Sequence, residues 1–198
     1  MPAAILPLPS GEVLPRKRFT RAEVQQMMNV GLFAGQRYEL IDGDLIDKMG
    51  QNPPHASAIR LLLELLAGIF GLKRVQVQLP VEVSAEDREK SMPEPDLAVL
   101  AADSSTLYRD RHPRGDELLL VVEVADTTLT HDATTKRDLY ARAGVLEYWI
   151  LDLNRRSLVI HRKPIHGVYQ EVSVLVETAL TSIEAQPAAR LLVADMLP

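Results

Sequence analysis

Residues 118–125 form a run of apolar side chains that a single glutamate, Glu123, interrupts near its end. A strand with one face in water alternates apolar and polar residues, whereas a strand covered on both faces is apolar throughout. The run therefore predicts a central strand that lies between two layers of other elements. A carboxylate inside such a strand is costly unless a cation or hydrogen-bond donors meet it. The protein therefore has to provide Glu123 with such a partner.

A second acid follows the same pattern. Asp96 directly precedes the apolar residues 97–100, which predict another buried strand. If the two strands are neighbours, Asp96 and Glu123 come close together, and the backbone carbonyl of Val124 offers a third oxygen. Mg²⁺ prefers such hard oxygen ligands and often takes one or two carboxylates together with water. These residues therefore predict a site for Mg²⁺ or Mn²⁺. The alternative is that Asp96 caps its strand and Glu123 pairs with an arginine.

Lys136 lies on a predicted helix that follows the second strand. Asp132, Lys136 and Tyr140 are spaced four residues apart, so they share one face of that helix. On that face, Lys136 would stabilise the charge that develops on a reacting phosphate and orient the attacking water. The alternative is an exposed Asp132–Lys136 ion pair, worth about 0.3 kcal/mol. The spacing alone favours this alternative.

Capping, turn and helix-stop signals divide the chain into helices and strands. The predicted elements are a helix after Thr20, a hairpin at 38–47, a helix from Pro53 to Gly71, strands at 75–79, 96–101, 117–125, 147–152, 158–161 and 168–176, a helix at 130–143 and a short helix at 185–192. This order predicts a mixed α/β protein. Residues 1–18, which contain several prolines, predict an N-terminal arm before a single domain at 19–198.

The composition argues against several kinds of site and partner. The chain has no cysteine, and its five histidines lack a zinc-binding spacing, so thiolate and histidine-rich zinc sites are not expected. No apolar run approaches the ~18 residues that cross a bilayer, and the start of the chain lacks a basic segment before an apolar one. We therefore expect a cytoplasmic protein without a membrane partner. The net charge of −5 counts against tight non-specific DNA binding, but it does not exclude a nuclease whose acidic site needs a metal.

Four stretches of the chain carry a resemblance to a known family. They are YELIDG at 38–43, PEPDL at 93–97, VEVADTT at 122–128 and DATTKRDLYARAGVLEYW at 132–149. Together they resemble the Uma2 family of restriction endonuclease-like proteins, within the PD-(D/E)XK nucleases, over roughly residues 19–165. The resemblance implies a restriction endonuclease-like α/β fold, with a mixed central sheet flanked by helices and with added β-hairpins.

The resemblance also implies roles for four side chains. Asp96 and Glu123 match the two metal-binding acids, and Lys136 matches the lysine of Uma2-like proteins. Glu39 matches an early glutamate that contacts the metal site or orients water, and its alternative is a cross-strand ion pair on the hairpin. Ala125 occupies the position at which a typical PD-(D/E)XK nuclease has its lysine. Lys136 therefore has to reach the site from a different element.

Three further residues are candidates for supporting roles. His55, near the start of a helix, would face the site and contact phosphate, or it would cap the helix or lie at the surface. Gln78 would adjoin Asp96 from a neighbouring strand, or it would point outward as an ordinary polar residue. Tyr140 would support Lys136, or it would pack as a half-buried tyrosine.

Together, these residues and the resemblance predict an Mg²⁺- or Mn²⁺-dependent endonuclease that hydrolyses phosphodiester bonds, with DNA as the substrate. Because cutting a duplex normally needs two sites, we expect a homodimer by analogy. Two alternatives stay open. In the first, the chain is a catalytically silent nuclease-like scaffold with a binding or regulatory role, which its acidity and Ala125 favour. In the second, it hydrolyses a small phosphorylated metabolite.

Overall fold

A mixed sheet of six strands organises the protein. The computed structural model describes residues 16–48, 52–103 and 108–198, so most of the predicted arm at 1–18 lies outside the described residues. The helices are α1 (Arg21–Asn29), α2 (Pro53–Phe70) and α3 (129–142). The strands are β1 (Tyr38–Ile41), β2 (Asp44–Asp47), β3 (Val75–Val77), β4 (Leu97–Leu100), β5 (Leu118–Ala125), β6 (Glu147–Asp152), β7 (Ser157–Ile165), β8 (Val168–Val176), β9 (Leu180–Ile183) and β10 (Gln186–Leu192).

The apolar strand β5 lies in the interior of the large sheet, as its sequence predicts. The strands follow the order β3-β4-β5-β6-β7-β8, while β1–β2 and β9–β10 form two separate hairpins. β5 pairs antiparallel with β4 and parallel with β6. Its residues alternate between two cores: Val122 packs with α2, whereas Val121 packs with α3. Both faces are thus covered, and the predicted mixed α/β fold with added hairpins is confirmed.

The first hairpin carries Glu39 to the main sheet, and its turn follows from two residues. Asp42 and Gly43 both have positive φ angles, 47° and 78°, which a two-residue hairpin turn with the twist of the strands requires. A backbone hydrogen bond from Met92 N to Leu40 O, 2.7 Å long, ties β1 to the segment before β4. Glu39 is therefore held beside the sheet by backbone contacts on both edges of β1, with β2 on one edge and the segment before β4 on the other.

α2 begins and ends where its sequence predicts. The Asn52 side chain accepts a hydrogen bond from His55 N at 3.0 Å, and Pro53 occupies a first-turn position where no backbone donor is needed. Gly71 follows the helix with φ 82°, a conformation that glycine adopts without steric cost. In the part of the chain that the structure describes, no helix is both long enough and apolar enough to span a bilayer.

α3 is not a regular α-helix. It consists of a short α segment (Leu129–His131), a π-helical segment (Asp132–Lys136) and a second α segment (Arg137–Arg142). The backbone N–H of Arg137 donates to Asp132 O, five residues earlier. π-Helical turns of this kind are rare and occur frequently at functional sites. The helix predicted at 130–143 is thus present, and the wider turn directly contains Asp132 and Lys136.

The short helix predicted at 185–192 is wrong. Residues 186–192 form strand β10, which pairs antiparallel with β9, and only Val193–Met196 form a 3₁₀ turn. Alanine, arginine and leucine favour a helix locally, but contacts with the main sheet decide otherwise. The buried Glu147 carboxylate accepts a hydrogen bond from Glu184 N at 2.7 Å, and Arg162 donates to Ser182 O at 2.5 Å. These bonds hold the chain as a hairpin against the sheet.

Gly115 approaches the end of α3 so closely that no side chain fits there. A Cβ at this position would lie 2.3 Å from the backbone oxygen of Ala143. We expect Gly115→Ala to lower the free energy of unfolding by about 1–3 kcal/mol, because overpacking forces the backbone to shift. Urea denaturation measures this change.

The matched control for this substitution is Gly68→Ala in α2. A Cβ at Gly68 would meet no atom within 4 Å. Alanine is the better helix former, so this variant should gain about 0.5–1 kcal/mol. Equal effects of the two substitutions would contradict the steric argument for Gly115.

Candidate active site

Three charged side chains from separate elements meet beside β5. Lys136 of α3 lies between two acids: its Nζ is 2.8 Å from Glu39 Oε1 and 2.9 Å from Glu123 Oε1. Each of the three side chains is only 2–3% exposed. The structure therefore brings Glu39, Glu123 and Lys136 together in one buried cluster, although they come from a hairpin, the central strand and a helix.

Asp96 lies at the other end of the same cluster. Its Oδ2 accepts a hydrogen bond from Val124 N at 2.9 Å, and His55 Nε2 lies 3.2 Å from that oxygen. Gln78 Nε2 donates to Asp96 Oδ1 at 3.3 Å. Val124, predicted as a ligand through its carbonyl, thus contacts Asp96 through its amide. Gln78, predicted to adjoin Asp96, is found there, and His55 and Val124, predicted elsewhere in the same site, contact Asp96 as well.

Tyr140 supports Glu123 directly. Its hydroxyl donates to Glu123 Oε1 at 2.8 Å, on the oxygen that also faces Lys136. The Tyr140 side chain is fully buried, so the alternative of a half-buried packing tyrosine is wrong. Burial holds the pKa of Tyr140 well above its ordinary value, and the hydroxyl therefore stays a donor.

The alternative of an exposed Asp132–Lys136 ion pair is also wrong. Both residues are buried, and Lys136 Nζ lies 3.9 Å from Asp132 Oδ1. Asp132 is held in place by Thr128, whose hydroxyl donates to Asp132 Oδ2 at 2.5 Å. The π-helical segment sets the relative position of Asp132 and Lys136 in α3. The spacing shows that the two residues share one face of the helix, but it does not show whether other elements cover that face. The sequence alone therefore favoured the ordinary surface pair.

Two basic residues of the site have no counterpart among the sequence predictions. Lys48 Nζ lies 3.8 Å from Asp96 Oδ1. Lys48 directly follows the hairpin that carries Glu39, and this position in the sequence could have marked it as a candidate. Arg37 donates to Gln78 Oε1 at 3.0 Å and so orients the Gln78 amide. No local pattern marks Arg37, because its contact with Gln78 spans 41 residues.

The four central groups differ strongly in how they ionise. Burial raises the pKa of the Glu123 carboxyl to about 7, against the opposing charge of Lys136. Burial is the largest single influence on Asp96 and disfavours its ionised form, but the hydrogen bonds from His55 and Val124 and the charges of Lys48 and His55 together outweigh it and hold the pKa of Asp96 at about 2. Burial likewise opposes ionisation of Glu39, but the charges of Lys136 and Lys48 and the hydrogen bonds from Lys136 and Glu94 N together outweigh it and lower the pKa of Glu39. Lys136 keeps its proton despite burial, because Glu123 and Glu39 raise its pKa well above the ordinary value.

These groups leave the site short of positive charge. Four carboxylates, two lysines and one histidine lie within it. If all seven groups were charged, one buried carboxylate would lack a matching cation, and burial penalises such a charge. The site residues are Glu39, Asp96, Glu123, Asp132, Lys48, Lys136 and His55.

A divalent cation would correct this imbalance. No group of three or more ligating His, Cys, Asp or Glu side chains with metal-site geometry occurs within the described ranges. An ion would therefore rely on Asp96 and Glu123, with the carbonyl of Val124, water and substrate completing its shell. Magnesium commonly uses this kind of oxygen-rich and partly hydrated site. The donors present fit Mg²⁺ or Mn²⁺ on these grounds.

Comparisons with known proteins agree with the fold. The model of the Uma2 family, described as "Putative restriction endonuclease", matches residues 22–194. The crystal structure of a "putative nuclease belonging to DUF820" from Anabaena variabilis ATCC 29413 superposes with a TM-score of 0.69 at 16% identity, covering 90% of this chain and 97% of that chain. No curated protein matches the chain.

Proposed function

The chain belongs to the Uma2 family of restriction endonuclease-like proteins, and we propose that it is a metal-dependent endonuclease that hydrolyses phosphodiester bonds in DNA. The observation that carries this proposal is the meeting of Glu39, Asp96, Glu123 and Lys136 from four separate parts of the chain in one buried cluster. A stable fold gains little from so many buried charges, since apolar residues of similar volume often serve it equally well.

Asp96 and Glu123 would hold Mg²⁺ or Mn²⁺ in this enzyme, and the carbonyl of Val124 would add a third ligand. When bound, the ion would polarise a phosphoryl oxygen and favour deprotonation of water. Tyr140 fixes one oxygen of Glu123, and the amide of Val124 fixes one oxygen of Asp96. The two acids are therefore oriented before any ion arrives, which preorganises the site.

Lys136 and Glu39 would act on the attacking water. In the hydrolysis, the water oxygen forms a new bond to phosphorus, one ester P–O bond breaks, and the leaving oxygen takes up a proton. Of the two acids beside Lys136, Glu39 is the one that is ionised, because Lys136 helps to lower its pKa despite burial. Glu39 would orient the water and accept its proton. Lys136 would hold Glu39 in place and stabilise the charge that develops on the phosphate.

The groups around the cluster favour a phosphate-containing polymer as the substrate. Lys48 and His55, with side chains 14% and 15% exposed, lie between the buried acids and solvent. Basic side chains are the usual contacts to the DNA backbone. By analogy with enzymes that cut both strands of a duplex, we further propose that residues 19–198 form one domain that acts as a homodimer.

Plasmid cleavage tests the proposed function. We expect the purified protein to nick supercoiled DNA with Mg²⁺ or Mn²⁺ but not with a chelator, and we expect Asp96→Asn to lose this activity. The control is Asp103→Asn, because Asp103 lies on the surface opposite Lys73, outside the cluster.

The alternatives give different results in the same assay. A protein that cuts no DNA with either metal, yet keeps its fold, would support the silent scaffold, for which the internal pairing of every site acid is the favouring observation. Release of phosphate from a small phosphodiester or nucleotide without DNA nicking would instead support the metabolite alternative.

A further inference from the structure

Lys48 contacts the site in a different way from Lys136. Its Nζ lies 3.8 Å from Asp96 Oδ1, which is an ion pair without a hydrogen bond, since N–H···O bonds measure about 2.7–3.2 Å. The Lys48 side chain is 14% exposed, whereas that of Lys136 is 2% exposed and makes two contacts below 3 Å. Lys136 is therefore fixed in the interior, and Lys48 can move.

The backbone of Lys48 is nevertheless anchored. Its N–H donates to Arg37 O at 2.9 Å, which closes the base of the first hairpin. Only the four-carbon side chain is free to rearrange, and a lysine ammonium is a compact charge on a flexible stem. A small rotation therefore moves the charge from Asp96 towards solvent without disturbing β1, which carries Glu39.

The charge of Lys48 acts on the whole site. It favours the ionised forms of Glu39, Asp96 and Glu123. A divalent ion held by Asp96 and Glu123 would take over this stabilisation, and it would repel the ammonium group at the same time. A substrate phosphate beside the ion would then offer Lys48 a new anionic partner.

We propose that Lys48 is the site's own counter-ion: it holds Asp96 while no metal is bound, and it contacts a substrate phosphate once a metal occupies that carboxylate. This inference rests on the proposed function, because it needs a metal and a phosphate-containing substrate. It assigns Lys48 a role in binding both, and it makes metal binding a precondition for its contact with substrate.

Calorimetric titration with Mn²⁺ tests the first half. We expect Lys48→Met to bind Mn²⁺ on the order of tenfold more tightly than the unchanged protein, because the competing charge is gone. Lys73→Met is a matched control, since Lys73 also lies 3.8 Å from an aspartate oxygen, that of Asp103, but on the surface. Equal affinity of Lys48→Met and Lys73→Met for Mn²⁺ would overturn the inference.

The salt dependence of DNA binding tests the second half. Binding is measured with Ca²⁺, under conditions where a gel shows the DNA to remain intact, and again with chelator. In the presence of Ca²⁺, Lys48→Met should reduce the slope of log K for DNA binding against log salt concentration by the equivalent of about one phosphate contact. With chelator, the substitution should leave this slope unchanged. Equal slopes with Ca²⁺ would refute the contact to phosphate.

These outcomes separate the inference from the proposed function. If the unchanged protein binds Mn²⁺ and nicks DNA while Lys48→Met behaves identically, only the role of Lys48 is lost. If the unchanged protein binds no Mn²⁺ at all, the proposed function fails, and the inference fails with it.

Discussion

Lys136→Met is expected to weaken DNA cleavage strongly and to lower the free energy of unfolding by about 3–5 kcal/mol. The substitution leaves Glu39 and Glu123 buried without the cation that lies 2.8 and 2.9 Å from them. Cleavage should fall by about 10²–10³-fold or more, because the positive charge that we propose for stabilising the reacting phosphate is lost. Urea unfolding and plasmid nicking measure the two effects.

The control is Lys163→Met, which removes a lysine that pairs with Glu171 at the surface. Exposed ion pairs contribute little, so this variant should keep both its stability and its activity. If Lys136→Met is too unstable to purify, the double variant Lys136→Met/Glu123→Gln should recover part of the stability, because it removes a buried negative charge together with its partner. Recovery of cleavage in that double variant, or a single variant as stable as Lys163→Met, would contradict the assignment.

Glu123→Gln is expected to abolish metal-dependent cleavage while leaving the protein as stable as before, or more stable, above neutral pH. The amide keeps the shape of the side chain and can still accept the hydrogen bond from Tyr140. It cannot serve as an anionic metal ligand, so calorimetry should detect much weaker Mn²⁺ binding. A loss of function without a loss of stability separates Glu123 from residues that serve the fold.

The sign of the pH effect follows from the shift at Glu123. Burial raises the pKa of this carboxyl from an ordinary value of 4.5 to about 7. Between these values the folded protein binds more protons at this site than the unfolded chain, so the stability of the wild type declines as pH rises from about 4.5 to about 7. Glutamine has no proton to lose, so the variant does not share this decline.

Unfolding in urea at pH 5 and pH 8, with chelator present, measures this difference. Glu123→Gln should gain stability relative to the wild type between the two pH values, by on the order of a few kcal/mol. Glu171→Gln, at an exposed position of β8, should show no such gain. Parallel pH profiles of the wild type and Glu123→Gln would mean that Glu123 is already ionised in the folded protein.

Several elements were predictable because their signals are local. The apolar run of β5, the Asp-Gly turn of the first hairpin and the two ends of α2 each follow from a few neighbouring residues. The helix expected at 185–192 failed for the opposite reason. Its residues favour a helix, but hydrogen bonds from Glu184 and to Ser182 hold the segment as a hairpin against the sheet.

The candidate site divides in the same way. The sequence predicted Glu39, Asp96, Glu123 and Lys136 as site residues, partly because acids beside apolar strands are unusual and partly through the resemblance to Uma2. It left the surroundings open. The burial of Asp132, the π-helical turn in α3 and the positions of Lys48 and Arg37 became visible only in three dimensions.

The sequence by itself determined the central buried strand, the family and the identity of the charged residues, because periodicity and composition are properties of short stretches of chain. The tertiary structure alone decided that Lys136 is enclosed by Glu39 and Glu123 while Lys48 stays near solvent. Which charges meet, and how far water is excluded from them, depends on the packing of a hairpin, a strand and a helix that are distant in the chain. No local pattern encodes that packing.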